Sequence, residues 1–247
     1  MSNARIAGKI DSVGEFAQRV AELTTGERSL FRGQNTDLPL KPKIARHTSL
    51  DANSLLAVEQ QMLDRFKKES LPRLRGIHPT TDWDWLSVAQ HHGMSTRLLD
   101  WSANALAALW FAVSVDPPAG EDKGVVWTLC IGPQDLASPS ADESIWDLNR
   151  TYVFQPLHMD QRISAQSAWF SAHRYSEESG TFIALDSNRA FEKKLNKLFI
   201  PRTAFVSMRE DLRKMGVTKA TLFPDLSGLA ADIDEEYLRE PRNPRDI

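Results

Sequence analysis

The residues from Gln90 to Ser102 form the densest run of side chains in this sequence that could take part in chemistry. Histidine changes its charge near neutral pH, so His91 and His92 are predicted to move protons, and Asp100 is predicted to orient one of them. Consecutive residues of a helix point about 100° apart, so only one imidazole is expected to face a shared site. The sequence therefore predicts His91, His92 and Asp100 as catalytic residues.

The second half of the same run predicts a phosphate-binding segment. A strand that ends in Asp100-Trp101-Ser102 and runs into a helix presents unpaired backbone N–H groups, which bind anions. Thr96, Arg97 and Ser102 are the side chains predicted to contact the ligand there. Two plainer roles stay open: Asp100 or Ser102 caps the helix, and Arg97 pairs with Asp100 as a structural brace.

A separate motif, Phe31-Arg32-Gly33, places an arginine beside a glycine at the predicted end of a strand. The planar guanidinium fits phosphate or carboxylate, and glycine lets a ligand or another backbone come close. We therefore predict that Arg32, Gly33 and Gln34 bind the ligand together with the longer run.

The elements that position these residues follow from apolar spacing and capping signals. Helices are predicted over about 53–69, 82–91 and 103–113, with Gly93 as the C-terminal cap of the second. Strands are predicted around 29–33, 124–131, 169–170, 181–185 and 198–200, and a long polar loop over 133–160. Helices then lie mainly in the first half and a mixed or antiparallel sheet mainly in the second, so the predicted class is α+β.

Composition excludes several classes of protein. The 247 residues carry a net charge of −3 with both signs interspersed, which argues against binding duplex nucleic acid by charge alone. No apolar run reaches the roughly 18 residues of a membrane helix, so no membrane partner is predicted. Cys130 is the single cysteine and Met1 to Lys9 has no signal-peptide pattern, which predicts a cytoplasmic setting. A zinc site would need further ligands near the two histidines, so no metal is predicted.

Together these segments resemble the FRG domain family, which is named for the motif present here as Phe31-Arg32-Gly33. The longest resembling segment runs from Gln90 through Ser102 to Phe111-Ala112. Arg162-Ile163-Ser164-Ala165-Gln166 and the ending Gly216 to Leu229 also look like family features. The resemblance covers roughly residues 25–230, and it implies one FRG-type domain over 1–231 followed by a charged tail at 232–247.

The order of elements is also similar to that of ADP-ribosyltransferases. By that similarity Arg32 would bind the phosphates of NAD, Thr96 or Ser102 would be the middle polar residue, and Gln166 would open the last motif. The transferases carry a catalytic glutamate two residues after that position, whereas this chain has Ala168. The departure leaves open whether the protein is an enzyme.

Three functions remain as alternatives. The first is an enzyme with a nucleotide-like ligand, a divergent NAD-dependent ADP-ribosyltransferase-like protein that modifies a protein or nucleic acid. The second is a non-catalytic FRG binding module that recognises a nucleotide, a nucleic-acid end or a protein partner. The third is a hydrolase or nuclease that depends on the histidines.

Overall fold

The computed structural model describes residues 4–24, 28–47, 54–74, 76–137, 144–156 and 165–238. Its main sheet has seven strands: β1 (Arg5–Lys9), β2 (Arg28–Gln34), β3 (Leu98–Ser102), β4 (Lys123–Ile131), β5 (Tyr152–Phe154), β6 (Ala168–Ala172) and β9 (Leu195–Pro201). Their order is β1-β9-β4-β2-β3-β6-β5, with β1 parallel to β9 and every other neighbour antiparallel. Strands β7 (Tyr175–Ser176) and β8 (Thr181–Phe182) form a separate pair.

The described ranges contain seven α-helices: α1 (Val13–Leu23), α2 (Leu55–Ser70), α3 (Asp82–His91), α4 (Ala105–Val113), α5 (Phe205–Lys214), α6 (Lys219–Leu222) and α7 (Leu226–Tyr237). The α+β class with a mainly antiparallel sheet is therefore confirmed. The sheet nevertheless draws three strands from before residue 103, and β1 and β5 have no counterpart among the predicted strands. None of the helices in the described ranges is long and apolar enough to cross a membrane.

Five of these helices pack on one face of the sheet in two groups. The first group, α1, α4 and α5, buries a cluster with β2, β4 and β9 that includes Phe31. The second, α2 and α3, buries a cluster with β3, β5 and β6 that includes Leu98. Phe31 lies opposite Ser102 in the register, and strand alternation puts Ser102 and Leu98 on the same face. The opposite face is covered by irregular segments through Leu40, Leu185 and Phe191.

Local signals explain where the helices that border the site begin and end. Thr81 and Asp84 form a capping box for α3, and Gly93 follows its end at φ +86°, as predicted for a C-terminal cap. The cap of α4 is neither Asp100 nor Ser102 but Asn104, whose side chain accepts from Leu106 and Ala107.

The boundary between domain and tail at residue 231 stays a prediction. Helix α7 continues through Tyr237, so an ordered helix spans the expected boundary between domain and tail. Residues 239–247, like the family feature at 162–164, lie outside the described residues.

Candidate functional site

A cleft of about 330 Å³ opens where β2 and β3 part. Within the described chain the register of these strands holds one pair, whereas all seven residues of β2 pair with β4. The polar residues that line the cleft are Arg32, Asp100, Ser102 and Gln166. Its aromatic walls are Phe31, Trp101, Phe111 and Phe223. The cleft thus joins the Phe31-Arg32-Gly33 motif to the end of the long polar run.

Arg32 is the cationic group of this cleft. Its Nη1 donates to the main-chain carbonyl of Asp100 at 2.7 Å and lies 3.7 Å from the Asp100 carboxylate. Burial lowers the pKa of Arg32 below its ordinary value, the Asp100 carboxylate raises it, and the charge of Arg46 lowers it. The side chain is 19% exposed, and its buried Nε has no hydrogen-bond acceptor among the described residues. The exposed part of the guanidinium is what Arg32 presents to the cleft.

Asp100 is the carboxylate of the cleft, and a polar chain from α3 orients it. The Gln90 amide donates to Asp100 Oδ2 at 3.0 Å, and the Thr96 hydroxyl donates to Gln90 Oε1 at 2.7 Å. The Asp100 side chain is still 56% exposed, so it can accept hydrogen bonds from a ligand. Thr96 is fully buried and acts through Gln90 rather than as a group of the cleft wall.

Ser102 and Gln166 hold the inner edge of the cleft. The Ser102 hydroxyl donates to the Gln166 carbonyl at 2.5 Å and also accepts from the Asn104 N–H at 2.9 Å. The Gln166 amide donates to the Leu222 carbonyl at 3.0 Å. The next residue, Ser167, has a left-handed φ of +46°, a strained conformation of the kind that clusters near functional sites.

Gly33 is required by backbone packing, which is one of the two reasons considered for a glycine in this motif. A Cβ at this position would lie 1.8 Å from the Ala108 carbonyl and 2.7 Å from the Ala112 nitrogen. The glycine therefore lets α4 lie directly on β2. Its backbone still borders the cleft, because both Gly33 and Ala108 line it.

The cleft wall at Trp101 is fixed by a buried polar chain that the predicted site residues omit. Trp101 Nε1 donates to Ser171 Oγ at 3.0 Å, and Ser171 lies 3.0 Å from His173 Nε2. His173 Nδ1 lies 2.7 Å from the Ile183 carbonyl, which can only accept, so Nδ1 carries the proton of the neutral ring. Burial lowers the pKa of His173 to about 4, and the positive charge of Arg32 also lowers it. The one signal in the sequence is a polar residue at alternate positions of an otherwise apolar strand.

Arg97 lies outside this cleft and is fully buried in an ion pair. Its Nε lies 2.7 Å from Glu59 Oε2, its Nη1 donates to the Ile145 carbonyl at 2.6 Å, and its guanidinium stacks on Trp146 and Phe182. The predicted brace is therefore present, but the partner is Glu59 and not Asp100. Burial lowers the pKa of Arg97 and raises that of Glu59, and each charge opposes the shift of the other.

The two histidines and Gln34 are also separate from the cleft wall. His91 ends α3 and His92 follows it, with ring centroids 5.1 Å apart, and neither ring lines the cleft. The side chain of α3 that bonds the Asp100 carboxylate is Gln90, and the predicted role of Asp100 in orienting a histidine stays a prediction. Gln34 accepts from Trp127 Nε1 at 2.7 Å and fixes that indole against β2.

A second and larger groove of about 410 Å³ runs along α2 between Met62, Phe66 and Met94. None of the predicted site residues lines it. No group of three or more His, Cys, Asp or Glu side chains that could hold a metal ion occurs in the part of the chain that the structure describes.

Comparison with known proteins gives a family match to part of the chain. The model of the FRG domain matches residues 27–120, which include Phe31-Arg32-Gly33 and the whole run from Gln90 to Ser102. The match supports the FRG assignment for this part of the chain, although it is shorter than the expected 25–230, and Gln166 lies beyond it. No curated protein and no solved structure matches, so the similarity to ADP-ribosyltransferases gains no support.

Proposed function

We propose that this protein binds a nucleotide-like ligand, such as NAD or ADP-ribose, in the cleft between β2 and β3. The observation that carries the proposal is the meeting of an incompletely bonded guanidinium, an exposed carboxylate and aromatic walls in one cavity. Its volume of about 330 Å³ is at the lower end of the range for small-molecule sites.

Each part of a nucleotide has a counterpart in this set of residues. Arg32 offers N–H groups to a phosphate oxygen, for which the planar guanidinium is well suited. The Asp100 carboxylate can accept from ribose hydroxyls, a role that acidic residues also have in other dinucleotide sites. Phe111 and Phe223, whose ring centroids lie 6.0 Å apart, provide apolar faces for a planar ring.

Calorimetric titration of the whole chain with NAD and with ADP-ribose tests this proposal. Arg32→Met removes a charge-assisted hydrogen bond worth about 1.5–3 kcal/mol, so we expect the affinity to fall by about 10- to 100-fold. Arg19→Ala removes an arginine from the exposed face of α1 and should leave the affinity unchanged. Equal affinities in wild type and Arg32→Met would reject the site.

A second candidate, turnover of NAD, depends on Asp100. Its carboxylate is the one acidic side chain among the described residues that line the cleft, and could stabilise positive charge that develops on a ribose. Ala168, which pairs with Ser102 in β6, leaves no carboxylate at the position that the transferase similarity indicates.

Release of nicotinamide from NAD separates this enzyme from a binding module. If Asp100 is catalytic, Asp100→Asn should abolish release while the affinity for ADP-ribose changes only a few-fold. If the wild-type protein binds ADP-ribose but releases no nicotinamide from NAD, the non-catalytic binding module is the function that remains. A His91→Ala, His92→Ala double variant is the matched control, because both rings lie away from the cleft wall. Lost turnover in that variant would favour the histidine-dependent alternative.

A further inference from the structure

Helix α7 presents its apolar face to solvent. Leu226, Leu229, Ile233 and Tyr237 recur every three or four residues and form one stripe along the helix. All four are exposed, Leu226 to 84% and Tyr237 to 78%. A helix that stabilises a core turns such a stripe inwards, so packing within the described chain does not account for this one.

The side of α7 that faces the protein is small and polar. Gly228 is its buried residue, and a Cβ there would lie 1.9 Å from the Phe223 carbonyl. Arg213 of α5 pairs with Asp232 at 3.8 Å and with Glu236 at 3.0 Å. Helix α7 is therefore attached by a close backbone contact and by ion pairs, and its apolar side faces solvent instead of the protein. Exposed apolar stripes of this kind mark interaction surfaces.

The charge around the stripe indicates what can cover it. Helix α7 contains four acidic residues and no lysine or arginine. A rotation of about 100° per residue puts Asp234 on one side of the stripe and Glu236, which also pairs with Arg213 and stays 58% exposed, on the other. A second α7 would bring acidic borders against acidic borders, and an anionic lipid surface would be repelled in the same way.

We infer that α7 is a docking surface for a protein partner that presents an amphipathic helix with apolar residues bordered by lysine or arginine. Leu226, Leu229, Ile233 and Tyr237 supply the apolar seam, and the acidic borders select the charge of the partner. This inference is independent of the nucleotide proposal, because none of these four residues lines the cleft.

Two synthetic peptides of about 18 residues test the inference by fluorescence anisotropy with the whole chain. They share one leucine repeat at helical spacing and differ in their borders, which are lysine in one peptide and glutamate in the other. We expect saturable binding of the lysine-bordered peptide and binding at least about tenfold weaker for its glutamate counterpart. Ile233→Asp in the protein should lower the affinity for the lysine-bordered peptide by about tenfold or more.

Two controls keep this result interpretable. Ile6→Asp alters another exposed apolar side chain, on β1, and should leave the binding unchanged. Leu226→Asp, at the start of α7, should reproduce the effect of Ile233→Asp, and circular dichroism confirms that each variant is folded. Failure of the lysine-bordered peptide to bind, or equal binding by Ile233→Asp, would overturn the inference. So would a wild-type dimer in sedimentation that dissociates on Ile233→Asp, because a second copy would then occupy the stripe.

Discussion

Arg32 and Arg97 begin with the same predicted role, and the structure separates them. Arg97 is fully buried against Glu59, the Ile145 carbonyl and two aromatic rings, and its Nη2 has no hydrogen-bond partner among the described residues. Arg32 lies at a gap in the sheet, bonds a main-chain carbonyl, and keeps a buried Nε without an acceptor. Each arginine keeps one buried nitrogen without an acceptor among the described residues, so what distinguishes the two regions is the cavity that borders Arg32.

The largest expected effect is on the stability of the protein, and it differs between the sites of the two arginines. Glu59→Ala leaves the buried Arg97 charge without its partner, and we expect the free energy of unfolding to fall by about 3–5 kcal/mol. Arg32→Met removes one hydrogen bond at the edge of a cleft and should cost about 1 kcal/mol. Urea unfolding of both variants measures the difference. Equal losses would mean that both arginines are structural.

The second effect concerns the buried histidine behind the cleft. The folded-state pKa of His173 is about 4, below the ordinary value of 6.5, so the unfolded chain binds the proton first. The stability from the neutral ring is fully present above pH 6.5 and is lost as pH falls towards 4, by about 3 kcal/mol. Unfolding measured across this window should show a slope that His173→Gln reduces. An identical slope in the variant would assign the acid sensitivity to other groups.

The third effect tests whether Gly33 is required because α4 packs directly on β2. Gly33→Ala must push α4 away from the strand, and we expect a loss of about 1–3 kcal/mol. Gly14→Ala in α1, where an added Cβ meets nothing within 4 Å, should be neutral or slightly stabilising. Thermal unfolding compares the two. A neutral Gly33→Ala would show that α4 can move, and that the glycine serves the ligand instead.

The sequence predicts much of this fold because its signals are local. The helix over 82–91 follows from its cap and its terminal glycine, and β4 follows from an apolar run with strong strand formers. Strands β1 and β5 are short and lack such a signal, since they are defined by pairing with β9 and β6, which are distant in sequence. Helix α7 was not predicted, because acidic residues lie between its apolar positions.

Only some of the residues predicted for the site line the cleft, because their final positions depend on contacts that are distant in sequence. The polar run is compact in sequence, but Arg97 precedes β3 and is buried against Glu59 of α2, whereas Asp100 lies within β3 at the cleft. Sequence alone does not show that Glu59 lies beside Arg97, because they are 38 residues apart. His91 and His92 have suitable chemistry, but they lie at the C-terminal end of α3 and neither lines the cleft.

The most direct test of the account observes both guanidinium groups in one spectrum. Their Nε–H resonances are assigned by Arg32→Lys and Arg97→Lys in a ¹⁵N-labelled protein, which is then titrated with ADP-ribose. We expect the Arg32 Nε–H signal to shift in a saturable way as the exposed part of its guanidinium binds the phosphate groups, while the Arg97 signal stays in place. An unmoved Arg32 signal at saturating ligand, or a shift confined to Arg97, would contradict the central claim that the β2–β3 cleft is the ligand site.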